Sequence, residues 1–285
     1  MSENEKNGGA ECTTEDCSSC GLDCPSRKAE TESLIEPINK LSRVKRVIAV
    51  VSGKGGGGKS TVTSLLAVAM RRRGYSVSVL DADVTGPSIP RAFGIAAGGA
   101  EGDKYGIIPT STETGIKVMS VNMLLDDEKT PVVWRGALIS SVVKQFWTDV
   151  IWGENDYMFI DMPPGTGDVP LTVFQSIPLD GIIVVTTPQE LVSVIVAKAV
   201  NMANMMNIPI IGVIENMSYL VCPDCGRKIE LFGDGEATKE EIESMGLELI
   251  GRLPVSPDIT SLVDCGRIEA VPYDCLSEAA EKIKI

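Results

Sequence analysis

Residues Ser52 to Thr61 read Ser-Gly-Lys-Gly-Gly-Gly-Gly-Lys-Ser-Thr and fit the spacing G-x-x-x-x-G-K-[ST]. That spacing does phosphate chemistry. Gly53, Gly55, Gly56, Gly57 and Gly58 let the backbone curl until successive N–H groups face phosphate oxygens. A helix opening at Ser60 and Thr61 adds its partial positive charge. Lys59 is expected at the β- and γ-phosphates of a nucleotide, with the Ser60 hydroxyl on Mg²⁺.

Carboxylates stand where such a site needs them. Val79-Leu80-Asp81-Ala82-Asp83 puts two just past an apolar run: one belongs near the metal, and the other can orient an attacking water. Met158-Phe159-Ile160-Asp161 puts a third behind another apolar run, expected to hold Mg²⁺ mostly through water. Gly165 and Gly167 follow, so this loop can respond to a γ-phosphate.

The chain has 8 Cys and no His, which removes Ser-His-Asp catalysis, Cys-His catalysis and imidazole metal sites. Cys222-Pro223-Asp224-Cys225-Gly226 is a C-x2-C turn that aims two thiolates at one ion. Two thiolates are half a tetrahedral site, and a two-fold partner chain can supply the other half. The spacing leaves Zn²⁺ and a [4Fe–4S] cluster both open. Cys12, Cys17, Cys20 and Cys24-Pro25 form a second group, a hybrid of two ferredoxin spacings, read as metal or cluster binding. Cys265 and Cys275 fall in predicted C-terminal helices and are expected in the core or incidental.

The elements that must position these residues follow from periodicity. Continuous apolar runs predict buried strands at 47–51, 76–80, 157–160, 181–186, 208–214 and 247–250. Helical patterns lie between them at 60–73, 135–150, 189–206 and 237–245. The alternation predicts an α/β fold: a doubly wound, mostly parallel sheet with helices on both faces, as in P-loop NTPases. Residues 1–43 are polar and poor in aromatics, and are expected to be a flexible Cys-rich arm on a domain of residues 44–285. The C-x2-C loop would lie near 219–230 of that domain.

The formal charge of −13 disfavours broad nucleic-acid binding and anionic membrane surfaces. The N-terminus lacks the apolar run of a secretory signal, and clustered Cys then point to a reducing cytoplasm.

Together these motifs resemble the Mrp/ApbC/Nbp-type iron–sulfur cluster carrier ATPases of the MinD-like P-loop superfamily. The resemblance spans about residues 40–285. It rests on the phosphate loop, on Asp81-Ala82-Asp83 followed by Gly86-Pro87-Ser88, on Asp161 to Asp168, on Ile214 to Tyr219, and on Cys222 to Gly226. It implies ATP with Mg²⁺, slow hydrolysis, and a homodimer that bridges a labile [4Fe–4S] cluster through Cys222 and Cys225. The partners implied are apo iron–sulfur proteins and cluster assembly factors. A second early lysine, Lys54, marks the deviant Walker A class, in which it reaches the partner's nucleotide. Similarity assigns Asp83 to the water, Asp81 to support and Asn216 to the adenine edge. The segment Arg252 to Pro257, with Pro254 at its centre, either packs against the base or is an ordinary Pro-bounded loop. The class usually has Val where Gly57 stands, so four successive glycines predict weakened nucleotide binding. The competing reading is a MinD/ParA-like or targeting ATPase with a structural zinc between protomers. A targeting ATPase would need an apolar groove rich in Met, whereas Met202, Met205 and Met206 are expected to pack in the core.

Overall fold

The computed structural model describes residues 34–83, 88–96, 98, 101–124, 136–165, 167–188, 192–231, 235–272 and 274–284. Cys12, Cys17, Cys20, Cys24, Gly86, Pro87 and the arm through residue 33 lie outside the described residues. Ile35–Ile285 form one compact unit.

Strand β1 (Arg43–Ser52) is the axis of the sheet, since Val47 to Ser52 are buried on both faces. It pairs in parallel with β7 (Glu154–Asp161) on one side and β8 (Gly181–Thr186) on the other. Beyond β7 lie β2 (Val77–Asp81), β6 (Lys117–Ser120) and the antiparallel β5 (Thr110–Ser111). Beyond β8 lie β9 (Ile210–Val221), with β11 (Leu249–Val255) parallel and β10 (Lys228–Ile229) antiparallel to it. A separate hairpin joins β3 (Glu101–Asp103) to β4 (Gly106–Ile108). Parallel strands need crossovers, and helices supply them.

Two apolar layers result. One face of the sheet packs α1 (Lys59–Arg72), α2 (Ser88–Ala92), α7 (Pro257–Asp264) and α8 (Ser277–Lys282) around Leu66, Met70 and Phe159. The other packs α3 (Gly136–Thr148), α4 (Asp168–Ser176), α5 (Val192–Met205) and α6 (Gly235–Ser244) around Phe146, Trp152 and Met158. The doubly wound sheet expected from the alternation is therefore present. Among the described residues no helix is long and apolar enough to cross a membrane.

Two differences from the periodicity matter. The strand expected at 208–214 runs on to Val221, and the one expected at 247–250 runs on to Val255. The sequence hides this because the pairing is irregular. Met217 takes a left-handed φ of 56°, and the β11 register shifts between Arg252 and Pro254. Pro254 has no N–H to give, so it sits where the ladder slips. The segment from Arg252 to Val255 is thus strand, not loop. The second difference is that Cys265 and Cys275 flank the C-terminal helices rather than lie in them: Cys265 is exposed just past α7, and Cys275 is half-buried ahead of α8. Among the three methionines, Met202 and Met206 pack against the core and Met205 is 79% exposed.

Candidate nucleotide site and cysteine turn

The phosphate loop leaves the C-terminal end of β1 and opens α1. Gly58 caps that helix with φ 76°, and a Cβ there would lie 2.1 Å from Asn216 Nδ2, so only glycine fits. Gly56 is also left-handed, with φ 86°. Gly57 differs: its φ lies outside that region, and a Cβ would meet only Thr187 Cγ2 at 3.7 Å. The loop lines a cavity of about 440 Å³ with Lys54, Lys59, Ser60, Asp83 and Arg91.

Lys59 is 6% exposed and its Nζ lies 2.8 Å from Asp161 Oδ2 and 3.8 Å from Asp83 Oδ2. Ser60 Oγ donates to Asp161 Oδ2 at 2.6 Å, and Thr63 Oγ1 donates to Oδ1 at 2.7 Å. Asp161 is fully buried, so these three donors compensate its charge. Thr63 was not singled out in the sequence. Its position one helical turn after Lys59 was the available signal.

Asp81 lies behind Asp83. Its Oδ2 accepts from Ser120 Oγ at 2.8 Å and its Oδ1 from the Asp83 N–H at 3.0 Å. Burial, then the neighbouring Asp161 carboxylate, push the Asp81 carboxyl well above the usual carboxylate range. Ser120 is another residue the sequence did not reveal, because β6 is a four-residue strand.

A second cavity of about 270 Å³ adjoins the first and shares Gly58 and Thr61 with it. Asn216, Met217, Pro254 and Ile259 line it. Asn216 Nδ2 donates to the Gly57 carbonyl at 2.9 Å, so the amide proposed for a base already braces the phosphate loop. Pro254 stands on the wall of the same cavity.

The cysteine turn continues β9. Cys222 N–H donates to the Arg227 carbonyl and Gly226 N–H to the Cys222 carbonyl, both at 2.9 Å, with Gly226 at φ 71°. Backbone N–H groups of Cys225 and Asp224 donate to the Cys222 sulfur and lower its thiol pKa. Both thiols are free, and Cys225 is exposed. Among the described residues no group of three or more Cys, Asp or Glu could hold a metal, so the pair remains two ligands.

A doubly wound sheet whose central strand feeds a glycine loop, with Lys59, Ser60 and Asp161 converging behind it, defines a P-loop NTPase. A family model described as ParA, NUBPL iron-transfer P-loop NTPase, matches residues 43–284. The chain belongs to that family. It is 48% identical over 233 residues to an iron-sulfur cluster carrier protein of Clostridium perfringens, covering 79% of this chain and 81% of that one. It is 46% identical over 281 residues to the carrier protein of Methanocaldococcus jannaschii, covering 96% of this chain and 94% of that one. That second match therefore reaches into residues 1–43. A solved nucleotide-binding protein of Archaeoglobus fulgidus, in complex with ADP, is 43% identical with a TM-score of 0.74. It covers 82% of this chain and 91% of its own. The MinD cell division ATPase of Pyrococcus furiosus shares the fold at 21% identity and a TM-score of 0.57, over 84% of this chain and 98% of that one.

Proposed function

We propose that this chain is an ATP-dependent carrier of a labile [4Fe–4S] cluster, held between two copies and passed to apo-proteins. The observation that carries this is the course of β9. One strand braces the phosphate loop through Asn216 and ends at Val221, one residue before Cys222, whose sulfur accepts backbone N–H groups. The names of the relatives support the same reading.

In this proposal the nucleotide phosphates draw Lys59 away from Asp161, and Lys54 reaches the nucleotide of the partner copy. Asp83 orients the attacking water, and Asp81 holds Asp83. The base lies between Asn216 and Pro254. Mg²⁺ suits the hard oxygens of Ser60 and Asp161, which stand 2.6 Å apart. Bound there, it would neutralise charge on the β- and γ-phosphate oxygens. The cluster is cargo: two Cys222–Cys225 pairs, one from each copy, make four thiolates. ATP favours the closed pair of copies and hydrolysis releases it, which changes how exposed the cargo is. Cys12, Cys17, Cys20 and Cys24 would bind a second cluster on an arm, and the thiols require a reducing compartment such as the cytoplasm.

Anaerobic purification tests this. Brown protein with iron and sulfide in equal amounts, reduced in Cys222→Ala, is the expected result. Iron that disappears only on deleting residues 1–43 would move the cargo to the arm. Colourless protein holding zinc would replace the proposal with the structural-zinc reading.

A further inference from the structure

The phosphate loop and the cysteine turn both meet β9, and between those points the left-handed Met217 and a shift in the β11 register make the strand irregular. One side chain spans that irregularity. Arg252 Nε donates to Glu215 Oε2 at 3.0 Å on the near side of Met217 and to Ser218 Oγ at 2.7 Å just past it. Arg252 Nη2 donates to Glu230 Oε1 at 3.0 Å, one residue beyond β10, the return strand of the cysteine turn. Glu230 also accepts from the Gly235 N–H at 2.7 Å. Two cations lie over the Tyr219 ring, Lys228 Nζ at 4.6 Å and Arg252 Cζ at 5.9 Å from its centroid.

The placement of Glu215 is costly. It is 1% exposed, and its Oε1 has no hydrogen-bond partner. A buried ion pair seldom adds stability over an apolar pair of the same shape, and its best-attested use is to fix one geometry. Here the geometry fixed is that of the cysteine turn against the strand that touches the nucleotide loop. Glu215 is the immediate neighbour of Asn216, which holds the Gly57 carbonyl.

We infer that Arg252 is a positioning residue that couples the two sites. By gripping Glu215 and Glu230 together it makes a displacement at Asn216 move the Cys222–Cys225 turn rather than dissipate at Met217. Arginine is needed for this because its fork reaches two carboxylates at once, which a lysine point charge does not hold in fixed orientation. The inference rests on the carrier reading only in treating Cys222 and Cys225 as the working ligands.

The test is site-resolved alkylation of the full-length, reduced chain, with ATP or ADP saturating and with a free small thiol in the same mixture as the rate reference. The Cys222 rate in the unmodified chain is expected to differ between the two nucleotides by about fivefold, a modest coupling between sites. Glu230→Ala removes one arm of the fork outside the nucleotide site. It should abolish that difference while ADP affinity stays within about twofold. Arg252→Lys, which keeps the charge and loses the fork, should abolish it as well, and serves if Glu230→Ala does not fold. An undiminished nucleotide difference in either variant overturns the inference, as does its absence in the unmodified chain. Failure of the carrier reading has a separate signature, protein purified without iron, which leaves the alkylation ratio standing.

Discussion

Lys59 Nζ sits 2.8 Å from Asp161 Oδ2, with the lysine 6% exposed and the carboxylate fully buried. The two side chains therefore neutralise one another inside the fold. Under the proposed function, a nucleotide would have to offer Lys59 a better anion than Asp161, and a divalent cation would take the place of the lysine charge beside Asp161.

Lys59→Ala tests that exchange. Removing one member of a buried pair costs about 3 kcal/mol here, at the low end of the range because Ser60 and Thr63 still donate to Asp161. Hydrolysis should fall by at least about 100-fold through loss of the phosphate contact. Urea unfolding and phosphate release measure the two effects. Any cluster transfer that remains should no longer respond to ATP, and transfer still stimulated by ATP would defeat the proposed coupling.

Gly57 and Gly58 should respond in opposite directions. Gly58→Ala drives a Cβ to 2.1 Å from Asn216 Nδ2 at a φ of 76°, so nucleotide binding should be lost. Gly57→Val meets ordinary contact at Thr187 and removes the freedom of an empty loop. Ordering then costs about 0.5–1 kcal/mol less, and ATP affinity should rise by about two- to fivefold. Fluorescent-nucleotide titration gives both numbers, and an unchanged affinity in Gly57→Val would sink the argument about the four glycines.

Asp156 links β7 to the start of β2. It accepts from Lys45 at 2.7 Å and from the Ser76 N–H and hydroxyl at 2.8 Å each, which lower its pKa to about 2. A carboxylate depressed in the folded state stabilises at pH values above its unfolded pKa, and that contribution is lost as pH falls through the folded value. Asp156→Asn should therefore lose about 1–2 kcal/mol at pH 7, with the gap from the parent protein closing between about pH 4 and pH 2. Denaturant melts across that window check it, and a gap independent of pH would assign the effect to packing.

The cysteines should alkylate in a set order. Backbone N–H donors favour the Cys222 thiolate, whereas burial pushes the Cys275 thiol up to about 11. At pH 7.5 Cys222 should react much faster than Cys275. Its rate should also plateau at a lower pH than an ordinary exposed thiol. Mass spectrometry of iodoacetamide adducts resolves the two, and equal rates would contradict the hydrogen bonding at the cysteine turn.

Local features of the sequence were enough for the P-loop, the three aspartates and the doubly wound sheet. Each depends on neighbours in the chain: glycines that permit a curl, a Lys-Ser pair at the helix start, and a carboxylate behind an apolar run. The half-complete thiolate set at Cys222 and Cys225 was legible for the same reason. Tertiary structure alone decided the rest. Thr63 and Ser120 became parts of the site because α1 and β6 bring them to carboxylates 98 and 39 residues away in sequence. Asn216 met the phosphate loop, and Arg252 bound Glu215 and Glu230, through a strand pairing whose slip at Met217 and Pro254 leaves no periodic trace. A pattern of residue types records which faces are apolar, but not which distant side chains face one another across a sheet.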